Sequence, residues 1–234
     1  METFLKCLSL WNIHIDDHKL SLFERYYRFL LEWNEKINLT SITDRDEVYI
    51  KHFADSISLL NYISISGKTV LDIGTGAGFP GVPLKIICPD CKIVLLDSLN
   101  KRITFLNELI RELGLSDIVC IHGRAEDIAF DKNHREKYDL VVSRAVANLR
   151  TLSEYCLPFV NNNGTFISYK SGNIDEEIAL SSDAINLLCG KVDRIEKFSI
   201  PGSDIDRSLV FIEKTGKTDR KYPRKAGTPS KNPL

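Results

Sequence analysis

The stretch Val70-Leu71-Asp72-Ile73-Gly74-Thr75-Gly76-Ala77-Gly78-Phe79-Pro80-Gly81 decides the fold. Thr69 to Ile73 is a short apolar run of the kind that forms a buried strand, and the glycines after it permit a tight turn. The apolar segment that follows, through Ile87, reads as a helix. Outward from this unit the rhythm repeats. Lys92 to Asp97 is a second strand, and Lys101 to Leu113 is a helix with Gly114 as its stop. Ile118 to Ile121 and Tyr138 to Ser143 are the third and fourth strands. A helix through Val160, a strand over Gly164 to Lys170 and a helix over Ile174 to Leu188 come next. Strands near Arg194 to Ile200 and Ser208 to Glu213 close the body, with a short region around Pro201 and Gly202 between them. Strands alternating with helices predict an α/β body: a mostly parallel, doubly wound sheet of seven strands with helices on both faces. The last two strands should form an antiparallel hairpin at one edge.

Residues up to Tyr62 read as helix. Asp16 or Asp17 can cap a long segment to about Lys36, in which Leu20, Phe23, Tyr27, Leu30, Leu31 and Asn34 form an amphipathic stripe. After a break at Asn38-Leu39-Thr40-Ser41, a second helix is expected from Asp44 to Tyr62. Three regions result: a helical extension over 1–62, the α/β body over 63–213 and a basic segment over 214–234. In that last segment Lys214, Lys217, Arg220, Lys221, Arg224, Lys225 and Lys231 stand against a single acid, Asp219, although the 234-residue chain has a net charge of only -1. A basic end on an acidic body suits a polyanion partner, and it equally suits a solvated, disordered tail.

The hydrophobic share of 43% and charged share of 27% are those of a globular protein in water. No apolar run is long enough for a membrane helix and no leader pattern is visible, so a cytoplasmic protein is expected. The six cysteines are irregularly spaced and read as reduced, buried thiols. Cys88-Pro89-Asp90-Cys91 has the spacing of a redox or zinc pair, but no second pair completes it. It reads as a turn, and no metal is expected.

Two ligands compete for the glycine loop, and a ligand-free turn is a third reading. Gly76-Ala77-Gly78-Phe79-Pro80-Gly81 fits the dinucleotide pattern, whereas Gly74, Gly76 and Gly78 behind Asp72 fit a loop for S-adenosylmethionine. A pyrophosphate needs N–H donors at the helix start, and Pro80 and Pro83 remove two of them. Asp72 would repel a pyrophosphate but would suit a sulfonium and an amino group. Asp97, at the end of the second strand, can accept the ribose hydroxyls of either ligand. Gly123-Arg124-Ala125-Glu126 follows the third strand, where the Ala125 amide and Glu126 can reach an adenine; Glu126 also reads as an ordinary helix-start acid.

The acceptor should lie at the loop after the fourth strand, Ser143-Arg144-Ala145-Val146-Ala147. An Asn or Asp followed by Pro-Pro-aromatic, as an exocyclic-amine methyltransferase would carry, is absent, and so is a cysteine nucleophile. The remaining chemistry suits an acceptor with a free lone pair, such as guanine N7, where catalysis is positioning and exclusion of water. Arg144 is a candidate for the guanine edge or for the cofactor carboxylate, with a surface ion pair as the plainer alternative.

At this point the chain resembles the bacterial 16S ribosomal RNA (guanine-N7)-methyltransferase family, also known as GidB. The resemblance rests on Ile37-Asn-Leu-Thr40, His52-Phe-Ala-Asp-Ser56, the loop from Asp72 to Gly81, Asp97-Ser-Leu-Asn-Lys-Arg102, Gly123-Arg-Ala-Glu126, Ser143-Arg-Ala-Val-Ala147 and Tyr222-Pro-Arg-Lys-Ala-Gly-Thr-Pro229. It implies a Rossmann-like class I methyltransferase fold, S-adenosyl-L-methionine as cofactor and the small ribosomal subunit as partner. It also implies methylation of guanine N7 at position 527 of 16S rRNA, in the 530-loop. Gly74, Phe79, Ala125, Glu126 and Arg144 are then expected at the cofactor with Gly76 and Gly78 of the same loop, and Arg144 also in positioning. Asn38, Arg220, Lys221, Arg224 and Lys225 are expected at RNA, with Tyr222 stacking on a base. Asn38 equally suits a helix cap, and His52 reads as a packed or capping residue. A monomer is expected.

Overall fold

The structure is a computed structural model that describes every residue except Ala145. Seven strands form one sheet: β1 (Thr69–Ile73), β2 (Lys92–Asp97), β3 (Ile118–His122), β4 (Tyr138–Arg144), β5 (Val160–Ser171), β6 (Gly190–Ser199) and β7 (Asp206–Lys214). Their order is β3-β2-β1-β4-β5-β7-β6. The pairs from β3 to β5 are parallel, and β7 runs antiparallel to both β5 and β6. The expected hairpin is therefore present, with its second strand inserted inside the edge. The order reverses between β1 and β4, which makes the C-terminal ends of those two strands the switch point where sheets of this kind bind ligands. Ser143 Oγ donates to the Ile73 carbonyl at 2.9 Å and ties the two ends together.

Strand β5 begins at Val160, ahead of the expected Gly164: Val160 pairs with Tyr138, and after a bulge over residues 161–164 the ladder resumes at Thr165 opposite Leu140. The preceding helix is correspondingly shorter, α8 (Leu149–Cys156) with a 3₁₀ turn over Leu157–Phe159. The remaining helices of the body are α5 (Gly81–Ile87), α6 (Asn100–Leu113), α7 (Ala125–Ile128) and α9 (Asp175–Leu187). Both faces of the sheet are covered, which is why its central strands are apolar on both sides.

The N-terminal residues form α1 (Glu2–Leu10) and α2 (Asp17–Ile37), and Asp16 caps α2 by accepting from the Lys19 amide at 2.7 Å. The buried stripe of α2 is Leu22, Phe23, Tyr26 and Leu30, turned slightly from the expected one. The segment expected as one helix from Asp44 to Tyr62 is instead a run of four pieces. These are α3 (Arg45–Val48), a π-helical turn (Tyr49–Ala54), α4 (Asp55–Ile57) and a 3₁₀ turn (Ser58–Asn61). Widened turns of this kind release backbone carbonyls from the helical ladder and concentrate at functional positions.

These helices share one apolar cluster with α5, α6 and the sheet. Phe53 sits at its centre, with ring centroids 5.0 Å from Phe23, 5.1 Å from Tyr26, 5.0 Å from Tyr49 and 6.0 Å from Phe79. It thereby joins the helical extension to the glycine loop. Replacing Phe53 by Ala is expected to cost about 3–5 kcal/mol of unfolding free energy, read as a fall in the urea midpoint at unchanged slope.

Candidate functional site

The glycine loop is closed on itself. Asp72 is fully buried; its Oδ2 accepts from Thr75 Oγ1 at 2.6 Å and from the Gly81 amide at 2.9 Å. Burial lifts this carboxyl to about 6, against the two bonds that lower it. Asp72 thus braces the turn and does not line the cavity where its charge was expected, because both its working contacts lie inside the loop. The other amides are used as well. Gly74 and Thr75 donate to Leu96 O, Gly76 to Asp97 Oδ2, Gly78 and Phe79 to Thr75 O, Val82 to Gly78 O and Leu84 to Pro80 O. Pro80 and Pro83 have none to give. From Gly74 to Leu84 only the Ala77 amide lacks such a bond among the described residues. A pyrophosphate would find almost no donors here.

Two cavities open beside the switch point. The first, of about 460 Å³, is lined by Gly74, Asp97, Arg102, Ala125, Glu126 and Tyr155, and also by Gly227 and Ser230 of the C-terminal segment. Asp97 Oδ1 accepts from the Leu99 amide at 2.9 Å, and Arg102 Nη1 lies 3.3 Å from its Oδ2. This volume and lining suit a nucleoside-sized ligand. The carboxylate at the end of β2 and the α7 loop after β3 supply the acceptors that S-adenosylmethionine requires, so the residues present fit that cofactor. Gly78 and Phe79 stand behind the loop rather than in this cavity. A Cβ on Gly78 would come within 2.8 Å of Tyr26 and Val82, and Phe79 stacks on Tyr26 with centroids 5.5 Å apart. Gly76 supports Asp97 through its amide.

The second cavity, of about 480 Å³, is lined by Lys51, His52, Asp55, Arg144, Lys170 and Arg207, with Ile42, Tyr169 and Glu177 among its other walls. Arg144 lies here, on the far side of the switch point from the first cavity. Its Nη1 donates to the Lys51 carbonyl at 2.9 Å and to Asp55 Oδ2 at 2.8 Å, and its Nη2 is 3.3 Å from His52 Nδ1. The Lys51 carbonyl is available because it belongs to the π-helical turn. Asp55, also buried, takes Arg207 Nε on its other oxygen at 2.8 Å. One carboxylate therefore gathers two guanidinium groups from strands β4 and β7. Four cationic side chains face two carboxylates in this cavity, leaving it positive.

His52 stacks on Phe79 with centroids 4.6 Å apart, and its Nε2 meets Thr40 Oγ1 at 2.9 Å. Asn38 ends α2 in the left-handed region with φ of 45° and is exposed nearby. Of the basic residues expected at RNA, Arg220, Lys221 and Lys225 are exposed. Tyr222 is only 7% exposed and Arg224 is bound bidentately by Glu154, at 2.9 and 2.7 Å, so neither presents a free face in this structure. Asp55, Arg102, Tyr155, Arg207 and Ser230 are not singled out from sequence, and Gly227 stands there only as part of the Tyr222 to Pro229 block, with no expected place at the cofactor. Asp55 lies in the quoted His52 to Ser56 block, whereas Arg207 carries no local signal at all. Among the described residues, no three His, Cys, Asp or Glu side chains stand close enough to share a metal ion, and no helix is long and apolar enough to cross a membrane.

Solved structures share this architecture. The ribosomal protein L11 methylase of Lactobacillus delbrueckii subsp. bulgaricus superposes with a TM-score of 0.53 at 18% identity, covering 71% of this chain and 79% of that one. TYW2 of M. jannaschii in complex with AdoMet gives 0.56 at 14% identity, covering 74% and 78%. They define the class as the Rossmann-like fold of class I methyltransferases. A family model described as rRNA small subunit methyltransferase G matches residues 19–210. Ribosomal RNA small subunit methyltransferase G of Alkaliphilus metalliredigens is 52% identical across 94% of this chain and 93% of its own length. Its namesake in Lactococcus lactis subsp. lactis is 47% identical across 100% and 98%. The chain belongs to the rRNA small subunit methyltransferase G family.

Burial, reinforced by the Arg144 charge, pushes the His52 imidazole down to about 4. An unfolded histidine takes up its proton near 6.5, so the folded state loses stability as pH falls from there towards 4. Asp72, with its value raised, acts oppositely: its contribution is lost as pH rises from 3.8 to about 6. The comparison of wild type with His52→Gln isolates the imidazole. The variant should lose less stability on acidification through the histidine window, in denaturation midpoints taken across that range.

Proposed function

We propose that this chain transfers the methyl group of S-adenosylmethionine to N7 of a guanine in 16S rRNA, at position 527 in the 530-loop, as a cytoplasmic monomer. Family membership supports ribosomal RNA methylation. The observation that carries the cofactor reading is the saturated glycine loop, which has almost no amide left for a diphosphate but borders a cavity with a carboxylate placed for a ribose. A nicotinamide dinucleotide loses on the same count.

When bound, S-adenosylmethionine supplies an electrophilic methyl group on a cationic sulfur. The chain's own residues then have two tasks. Asp97 orients the ribose by accepting from its hydroxyls, while Ala125 and Glu126 border the adenine. Across the switch point, Arg144 holds the acceptor edge of the guanine, most directly its O6, with donors beyond those that fix it to Lys51, Asp55 and His52. Guanine N7 has a free lone pair, so no residue need remove a proton. Neutral His52, stacked on the buried ring of Phe79, gives the base a flat, poorly hydrated neighbour. The surplus positive charge of Lys51, Lys170 and Arg207 draws the RNA backbone, and exposed Asn38, Arg220, Lys221 and Lys225 offer further contacts to it. Tyr222 and Arg224 shape the segment that carries them.

The direct test is incubation with labelled cofactor and unmethylated 16S rRNA, followed by mapping of the modified base. Label at guanine N7 of the 530-loop is expected; label elsewhere, or none, overturns the substrate. S-adenosylhomocysteine should raise the melting temperature while NAD leaves it unchanged. Arg144→Lys should cut turnover roughly a hundredfold, since an ammonium cannot reproduce a planar fork that meets Lys51, Asp55 and His52 together. Its affinity for S-adenosylhomocysteine, measured by calorimetry, should stay within about threefold of wild type, because Arg144 lines the other cavity.

A further inference from the structure

The residues after β7 carry the chain's densest positive charge, which points them towards RNA, yet the last of them line the first cavity. Their placement is strongly fixed. Arg135 donates to three carbonyls of the segment, Thr218 at 2.9 Å, Asp219 at 3.2 Å and Tyr222 at 3.0 Å. The Arg224 amide and guanidinium both bind Glu154, a carboxylate with no exposed surface, and the amide contact is 2.7 Å. Removing either partner of such a buried pair would strand a charge, so the pairing holds the segment to α8. Thr151 Oγ1 donates to the Pro229 carbonyl at 3.1 Å, and Tyr222 and Pro229 are buried.

These anchors deliver a contact to the cavity itself. The Gly227 amide donates to Glu126 Oε1 at 2.9 Å, with Gly227 in the left-handed region at φ of 82°. Glu126 thereby has one oxygen occupied and its other acceptor capacity free for an exocyclic amine, the group that adenine presents. Gly227 and Ser230 line the same cavity as Asp97, Ala125 and Glu126.

We propose that residues 226–234 are a built wall of the cofactor cavity, in which Gly227 and Ser230 contact the adenine end of the cofactor and the Gly227 amide aims Glu126 at it. This rests on the cofactor reading above. Its anchors are all contacts within the chain and none needs a ligand, so binding incurs little ordering cost. Arg220, Lys221 and Lys225 precede the wall and are exposed, so one short segment can serve two ligands at separable positions.

The experiment uses a chain ending at Lys225, which lacks the wall but keeps Arg220, Lys221, Arg224 and Lys225. S-adenosylhomocysteine affinity, by calorimetry, is expected to fall at least about tenfold. Binding of an unmethylated 16S rRNA fragment, by fluorescence anisotropy, should change by less than about threefold, since only one cation is lost. Circular dichroism checks that the shortened chain folds. The full-length Ser230→Tyr variant decides the matter if it does not: the position is exposed, so the fold tolerates the ring, and the cavity loses room. Its cofactor affinity should also fall at least about tenfold, with an unchanged ligand-free melting temperature. Wild-type cofactor affinity in a folded shortened chain, or in Ser230→Tyr, overturns the proposal, the more so if RNA binding collapses. If the intact chain itself fails to bind S-adenosylhomocysteine, the cofactor reading falls first and this inference falls with it.

Discussion

The buried carboxylate of Asp72 fixes the corner on which the rest of the molecule depends. It reaches across the glycine turn to Thr75 and Gly81 and joins the end of β1 to the start of α5. The approach is close enough to require glycine: a Cβ at Gly81 would sit 2.4 Å from Leu95 and 3.0 Å from Asp72 Oδ2. Burying a carboxylate is costly, and the hydrogen bonds on Oδ2 offset only part of that cost, since Oδ1 has no partner among the described residues and burial still raises the carboxyl. In return the loop consumes its own amides and leaves a shaped edge with few free donors. That edge offers little to phosphate, and the carboxylates of Asp97 and Glu126 line the cavity beside it.

From this corner the site divides. On one side β2, β3 and the C-terminal segment enclose the first cavity. On the other, β4, β5 and β7 meet the helical extension at the second. Asp55 is the joint, since its two oxygens collect Arg144 from β4 and Arg207 from β7. The π-helical turn contributes by presenting the Lys51 carbonyl to the same arginine. The helices ahead of the sheet therefore supply part of a site wall as well as packing over one face of the sheet.

Much of the fold was legible because apolar runs and glycine stops mark β1 to β4 and α6 directly. The start of β5 was hidden because Asn161 to Asn163 carry no apolar signature and form a bulge between the Tyr138–Val160 and Leu140–Thr165 pairs. The π-helical turn was missed although buried Val48 and Phe53 stand five apart, a spacing that a widened turn and not an α-helix brings to one face. At the site, Asp97, Ala125 and Glu126 were read from their places at strand ends and do line one cavity. Asp72 was read as a ligand contact because sequence shows adjacency to the glycines and not which way the carboxylate turns. Arg207 and Gly227 were out of reach for a simpler reason: their partners, Asp55 and Glu126, lie far away in sequence. Basic residues at the end of the chain looked alike in sequence, whereas Glu154 singles out Arg224 and leaves Arg220, Lys221 and Lys225 in solvent.

The most direct measurement is a crystal structure of the complex with S-adenosylhomocysteine. Asp72 should still be turned onto Thr75 and Gly81, touching no ligand atom, with the ribose hydroxyls on Asp97 in the first cavity. An Asp72 swung out to the ligand, or loop amides freed to bind an anion, would contradict the account.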